Sequence, residues 1–326
     1  MAETARALFH VAPMRSELRE VPLAAPGPGE ALVRTEFSAI SRGTERLVAR
    51  GAVPAEEHGR MRCPMQEGDF PFPVKYGYAA VGIVEDGPAD LLGRRVFALH
   101  PHQNRFVAPL ERLHRVPDAV PAMRATLAAN LETALNAVWD SGVSVADRVV
   151  VVGGGLVGLL VAALCAGMPG TRVTVVDVDP SRAAAAADFG ASFAPPEAAP
   201  TGADVVFHTS ATAAGLATAI AAAGPEAEVV ELSWYGAGEI AVALGGAFHA
   251  GRIGLVSSQV GRVSPGHAAR GWTFASRLAA ALDLAADPRL DRLIGEIVPF
   301  ADLPAAMPRL LAAGAPGIVT LVRYEE

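Results

Sequence analysis

The segment from Asp147 to Asp179, DRVVVVGGGLVGLLVAALCAGMPGTRVTVVDVD, constrains the fold more than any other part of the chain. Val149 to Val152 is an apolar, β-branched run of strand length. It leads into Gly153, Gly155 and Gly158, a G-x-G-x-x-G spacing with Leu156 and Val157 between the last two glycines. Leu159 to Cys165 continues as an apolar helix. A second strand, Arg172 to Val176, ends at Asp177. Each part has a physical job. Gly153 lets the chain turn sharply off the strand, Gly155 has no side chain to block a pyrophosphate, and Gly158 lets the helix pack close to the sheet. The helix N-terminus offers free N–H groups and a positive dipole end to phosphates. A carboxylate about 20 residues past the glycines can accept hydrogen bonds from an adenosine ribose, and Asp177 stands there. The strand, helix, second strand and terminal acid together give the glycines the context that a dinucleotide site requires. Two other readings exist: a plain βαβ turn, or a membrane span over the uncharged stretch Val149 to Met168. The clustered glycines and the βα rhythm downstream argue against a span.

With 326 residues, the chain suggests two domains, and 51% hydrophobic residues supply a large core. The net charge is −7 and no basic stripe appears, so no nucleic-acid partner is expected. There are two cysteines, Cys63 and Cys165, too few for a disulfide scaffold or a four-cysteine zinc site. Cys165 falls in the apolar helix and reads as core. Residues 1–11 lack the apolar stretch of a signal peptide, so a soluble cytoplasmic protein with no membrane partner is the expectation. The alanine run Ala183 to Ala187 reads as helix surface.

Residues 5 to 120 read as β-rich. Apolar or alternating segments recur at Ala5–Val11, Glu30–Ala39, Ala79–Asp86, Arg95–Leu99 and Arg105–Val107, separated by Pro and Gly. This pattern points to a barrel-like or sandwich-like region. Met123 to Ser141 reads as helix. From Arg148 onward, strands at Val149–Val152, Arg172–Val176, Val205–His208, Val229–Leu232 and Gly254–Val256 alternate with helices. The expected fold class is therefore α/β, a Rossmann-type doubly wound parallel sheet plus the β-rich region. Trp272 to Ala286 is a long helix. Ile297–Pro299, a helix over Leu303–Ala312 and the strand Ile318–Tyr324 close the chain.

This order resembles the medium-chain dehydrogenase/reductase superfamily along essentially the whole chain. The markers are Gly29-Glu30-Ala31-Leu32-Val33, Gly77 to Val84 (GYAAVGIV), Gly93-Arg94-Arg95-Val96, the glycine fingerprint, and Pro299 to Ala306 (PFADLPAA). Phe37 to Glu45 (FSAISRGTE) and Ser257-Ser258-Gln259-Val260-Gly261 resemble the branch containing bacteriochlorophyllide dehydrogenase. The resemblance implies a GroES-like catalytic domain over residues 1–120, a Rossmann domain over 121–262, and a C-terminal segment, 263–326, returning to the catalytic domain. It also implies an active site between the domains, and a homodimer formed through the strand at Gly254 to Val260, since an edge strand needs covering.

The departures matter as much. Zinc alcohol dehydrogenases carry a cysteine where this chain has Ser41, and Gly-His-Glu where it has Gly77-Tyr78-Ala79. A catalytic zinc needs three strong protein ligands, and serine, tyrosine and alanine do not supply them. The four-cysteine lobe is replaced by Ala98-Leu99-His100-Pro101-His102-Gln103-Asn104-Arg105. No metal is expected. Hydride chemistry without zinc needs hydrogen-bond donors at the substrate oxygen. Tyr78 stands at the position of a zinc-ligand histidine and could donate there, or could be a packed aromatic. Thr44 and Glu45 resemble the hydroxyl–acid pair after the first ligand position, and Thr44 could instead cap a helix starting near Glu45. His100 and His102 suit acid–base work or lie on a surface loop. Glu132 could face the cleft.

Among relatives an arginine like Arg42 contacts cofactor phosphate, and Arg182 could flank the ribose. His208 with Thr209, and Ser233 with Trp234, end two sheet strands, where ligands gather. Gly51 to Lys75, with Met61, Met65, Phe70, Phe72, Arg60, Arg62 and Lys75, reads either as a substrate lid with an apolar wall and cationic rim or as a core-capping loop. The leading expectation is a zinc-independent oxidoreductase that moves hydride between NAD(H) and a secondary alcohol or ketone, a small-molecule substrate. The alternatives are an NAD(P)H-dependent quinone or enone reductase, whose 2′-phosphate Asp177 would repel, and a non-catalytic dinucleotide-binding redox sensor.

Overall fold

The computed structural model describes residues 3–325. The chain divides into two compact units, one comprising residues 1–129 and 282–326, the other residues 130–281.

The second unit holds a six-stranded sheet that is parallel throughout. Its strands lie in the spatial order Ser192–Ala194, Arg172–Val176, Arg148–Val152, Ala203–His208, Ala223–Glu231, Gly254–Ser257. Numbered along the chain this is 3-2-1-4-5-6, the doubly wound order of a Rossmann sheet. Val149 to Val152 is buried because the central strand is covered on both faces, which explains its unbroken apolar run. Helices Leu156–Ala166 and Ala213–Ala222 pack on this sheet. The fingerprint helix has 11 residues, and among the described residues no helix is long and apolar enough to cross a membrane. Gly254–Ser257 is a sheet edge, as the sequence suggests, but the strand stops short of Val260.

The first unit holds two β-sheets. In the larger, Val319–Arg323 pairs antiparallel with Glu30–Ile40, so the C-terminal strand does return to the β-rich part. Glu30–Ile40 also pairs with Ala80–Asp86 and Arg105–Pro109. The smaller sheet is built on the hairpin Thr4–Ala12 and Arg15–Pro22. The second hairpin strand, RSELREVP, escapes a sequence reading because it is polar and only partly buried.

The unit boundaries differ from those expected. The β-rich unit runs on to residue 129, and its C-terminal part starts at residue 282 rather than 263. The physical reason for the later return is Arg277 on the helix Phe274–Leu284. Its guanidinium is buried against Glu132, Asn136 and the carbonyls of Val260 and Arg262, all within the sheet-bearing unit. The expected helix Met123–Ser141 is broken into Ala122–Ala125 and Ala128–Ser141.

Candidate functional site

In the unit of residues 130–281, the glycine loop joins Arg148–Val152 to the helix starting at Leu156. Gly153 has a φ of +111°, a conformation that L side chains rarely adopt. A Cβ on Gly158 would lie 1.9 Å from the carbonyl oxygen of Gly153, so only glycine lets this helix start so close to the strand. Gly155 is the opposite case: it is exposed, and nothing lies within 4 Å of where its Cβ would be. The space above it is open to a ligand. Leu156 and Val157 open the helix beside it and are partly exposed.

Asp177 closes the second strand as expected. Its Oδ2 accepts from Gly154 N at 2.5 Å and its Oδ1 accepts from Asp179 N at 2.8 Å. The carboxylate therefore pins the glycine loop, and each oxygen keeps acceptor capacity for a hydroxyl. Arg182 pairs with Asp179 at 3.1 Å, and its Cβ and Cγ lie beside Gly154 next to Asp177. Thr209 donates its hydroxyl to Gly153 O at 2.8 Å, which ties the end of the fourth strand to the loop. His208 is fully buried between Glu231 and Ser210, each 2.7 Å away. Ser233 donates its N–H to Glu231 Oε1 at 2.7 Å and lies with Trp234 on the loop after the fifth strand.

In the unit of residues 1–129 and 282–326, a buried polar chain occupies the end of the strand Glu30–Ile40. Ser38 Oγ is 2.7 Å from His102 Nδ1 and 2.9 Å from the Tyr324 hydroxyl. His102 Nε2 is 3.1 Å from Glu45 Oε2. Glu45 Oε1 accepts from Ser41 N at 2.7 Å. An ionised carboxylate only accepts, so His102 donates from Nε2 and takes a proton at Nδ1 from Ser38. Ser38 must then accept from Tyr324. Ser38, Glu45, His102 and Tyr324 are all buried.

Tyr78 is the more accessible neighbour of this chain, being only partly buried by its surface area. Burial raises its phenol to about 12, partly offset by hydrogen bonds from the Ser41 and Thr44 side chains, while the Glu45 charge raises it further. It is thus a neutral donor near pH 7. Ser41 connects the two parts: its N–H serves Glu45 and its side chain meets Tyr78. Gly77, before Tyr78, packs so closely on His102 that a Cβ would lie 3.0 Å from its ring.

Several expected roles are corrected by these positions. The helix runs Arg42–Ala49 with Ser41 at its N-cap position, so Thr44 lies inside the first turn and does not cap it. His100 is separated from the His102 chain. It is buried, stacked on Phe106 at 3.8 Å, and placed 2.8 Å from Pro101 O. Burial, with the Lys75 charge adding to it, lowers it to about 3, so it stays neutral. Neither histidine lies on a surface loop. Glu132 is in the other unit, bonded to Arg277 at 3.0 Å inside the buried network already described, and burial raises its carboxyl. It is a structural partner of that arginine. Arg42 is occupied within its own unit by the carbonyls of Ala315, Pro316 and Gly317 and by Thr320. It holds the segment before the last strand.

In the segment Gly51 to Lys75, Phe70 is buried against His58 and Tyr76, and Tyr76 meets Tyr78 edge-on at 6.1 Å. Phe70 is thus packed into the unit's interior. The cationic rim is not complete, because Lys75 is buried and bonded to Glu67 and to Gln103 Oε1. Ser38, Tyr324 and Glu231 were not singled out from the sequence. Glu231 leaves a trace, an acid ending the apolar run Val229–Val230. Ser38 and Tyr324 leave none, since they lie 286 positions apart.

No protein-family model matches the chain. Solved structures of the same fold match it nearly end to end. A protein assigned as a zinc-binding dehydrogenase from Sinorhizobium meliloti 1021, bound to NADP, is 20% identical with a TM-score of 0.79, covering 98% of this chain and 99% of that one. A 2R,3R-butanediol dehydrogenase from Bacillus subtilis is 17% identical with a TM-score of 0.78, at 98% and 99% coverage. An alcohol dehydrogenase from Escherichia coli CFT073, complexed with NADH, is 16% identical with a TM-score of 0.77, again at 98% and 99%. The chain therefore has the mixed α/β fold of these dehydrogenases.

Proposed function

We propose that this chain is an oxidoreductase of the medium-chain dehydrogenase/reductase type that moves hydride between NAD(H) and a secondary alcohol or ketone without zinc. The observation that carries the reading is the Asp177 carboxylate bonded to the glycine loop, beside the open space over Gly155. A bound nicotinamide would supply the hydride. Gly155, Leu156, Val157 and Gly158 would hold the pyrophosphate at the helix N-terminus, and Asp177 with Arg182 the adenosine ribose. An acid here favours NAD(H), because it repels a 2′-phosphate.

The residues near Tyr78 do not fit a zinc ion. Ala79 has no donor atom, and Tyr78 keeps its proton. The Cys63 thiol is occupied in donating to Gly77 O at 3.3 Å. Both nitrogens of His102 are engaged. Among the described residues, no group of three or more His, Cys, Asp or Glu is placed to hold a metal.

In ketone reduction the Tyr78 hydroxyl donates to the substrate oxygen as charge develops on it. Ser41 and Thr44 hydroxyls then stabilise the phenolate. His102, hydrogen-bonded to Ser38 and Glu45, holds the Glu45 carboxylate that accepts from Ser41 N, so this network positions Ser41 against Tyr78, and the phenolate regains its proton from water. The reading extends to a homodimer, whose partner would cover the edge strand Gly254–Ser257 with its exposed Leu255. A turnover screen with NAD(H), NADP(H) and panels of alcohols, ketones and enones tests the function. Ketone or alcohol turnover with NAD(H) is the expected result. Turnover confined to enones with NADPH, or binding with no turnover, would replace it with the reductase or sensor reading.

A further inference from the structure

The cluster at the ends of strands Ala203–His208 and Ala223–Glu231 has a geometry that dinucleotide binding does not require. Ser210 Oγ lies 2.7 Å from His208 Nε2, and His208 Nδ1 lies 2.7 Å from Glu231 Oε2. This is the spacing of an activated nucleophile, a base and a group that orients the base. The proton positions follow from the acceptors. Glu231 Oε2 accepts from His208 Nδ1, leaving Nε2 free to accept from the Ser210 hydroxyl. Tyr235 donates to the same Glu231 oxygen at 3.0 Å, and Ser233 N donates to the other at 2.7 Å, so the carboxylate cannot swing away. The His208 hydrogen bond is also the leading favourable cause that holds Glu231 below its usual range, against its burial.

The chain keeps this arrangement clear. A Cβ on Gly215 would lie 2.0 Å from Ser210 Oγ and 2.9 Å from His208 Nε2. His208 is buried, whereas Ser210 is partly exposed, so the base is shielded and the hydroxyl is reachable. The ten-residue helix Ala213–Ala222 begins three residues later, with Thr212 accepting from Gly215 N at 3.0 Å. The first amide groups of any helix lack intrahelical acceptors and are the kind of donor that stabilises a developing oxyanion.

We propose that Ser210 is a nucleophile for acyl transfer from small activated esters, a hydride-independent activity. Ser210 Oγ bonds to the acyl carbon while its proton passes to His208 Nε2. The bond from that carbon to the leaving oxygen breaks, and the leaving group departs with the proton. Water then attacks the acyl-serine with His208 again as base, releasing the carboxylic acid and restoring Ser210.

The background for a test is low. Lys75 is the chain's single lysine and is buried. Cys63 and Cys165 are buried too, both with thiols pushed up to about 12 by burial. The full chain is mixed with p-nitrophenyl acetate, nitrophenolate release is followed, and the acetylated peptide is mapped. The expected result is a burst of one equivalent per chain, with acetyl on the peptide bearing Ser210. Ser210→Ala should remove both at an unchanged melting temperature. Glu231→Gln should slow acylation on the order of 10²–10⁴-fold, because His208 then loses the carboxylate that fixes its tautomer. No burst from the wild type, or a burst that persists in Ser210→Ala, overturns the proposal. Neither outcome bears on the hydride-transfer reading, because no dinucleotide is present.

Discussion

The two units hold their functional groups by opposite means. In the sheet-bearing unit the site is made largely of backbone: a glycine loop, a helix start and one carboxylate that hydrogen-bonds to the loop. In the β-rich unit it is made of side chains from four separate segments, carrying Ser38, Glu45, His102 and Tyr324. Backbone sites tolerate neighbours of many kinds but not an added Cβ. Side-chain networks tolerate changes of shape better than the loss of one donor or acceptor, because each buried member depends on the others.

The largest effect should come from the side-chain network. His102→Gln and Tyr78→Phe are each expected to reduce turnover on the order of 10²–10⁴-fold while leaving NAD affinity nearly constant. Replacing His100 by Phe, which can keep the stack on Phe106, should leave turnover close to wild type. Steady-state kinetics with titrated cofactor would show this. Equal losses at His100 and His102 would erase the distinction between them.

The glycines sharpen the comparison next. Gly158→Ala pushes a methyl group onto a backbone oxygen that cannot move cheaply, so a loss of about 3 kcal/mol in stability is expected, together with lost dinucleotide binding. Gly155→Ala meets nothing in the protein. It should leave the denaturation midpoint unchanged and weaken dinucleotide binding alone. Chemical denaturation paired with fluorescence titration separates the two outcomes.

A pH effect of intermediate size follows from the β-rich unit. Burial lowers His10 to about 4 and His100 to about 3 from the ordinary 6.5. Both groups bind protons more readily when unfolded, so their contribution is complete above about pH 6.5 and lost as the pH falls towards the folded values. Each should cost about 1.4 kcal/mol per pH unit within that window. Denaturation midpoints at pH 7 and pH 5 would show the loss, and His100→Phe should remove about half of it, leaving the part due to His10.

The smallest effect concerns cofactor choice. Asp177→Ala removes the charge facing a 2′-phosphate, and the ratio of NADH to NADPH affinity should narrow by about tenfold, the scale of 1.4 kcal/mol. Because the same carboxylate pins Gly154, affinity for both should fall somewhat. An unchanged ratio would remove Asp177 from the ribose site.

The same contrast explains what the sequence can reveal. The strand, glycines, helix and acid at Asp147 to Asp179 form one continuous segment, and their spacing matches the observed loop. Fold class was legible there and in the returning strand near Tyr324. His102 and Glu45 could be named as candidates, but their pairing could not, since it depends on which loop folds onto which helix. The His-Pro-His loop shows the limit most clearly. One turn of the chain sends His100 onto Phe106 and His102 onto Glu45, and no periodicity separates them. The partners of Glu132 and Arg42 are hidden from the sequence for the complementary reason. Each is a charge whose partner, Arg277 or the carbonyls at 315–317, comes from far along the chain.

The central proposal is that Tyr78 and the His102 network support hydride transfer without a metal. Its most direct test is elemental analysis of the purified protein combined with turnover in the presence of a strong chelator, once the screen has supplied a substrate. The account predicts no stoichiometric zinc and unchanged turnover in chelator. Close to one zinc per chain, lost together with activity on chelation and restored with it on zinc addition, would contradict it.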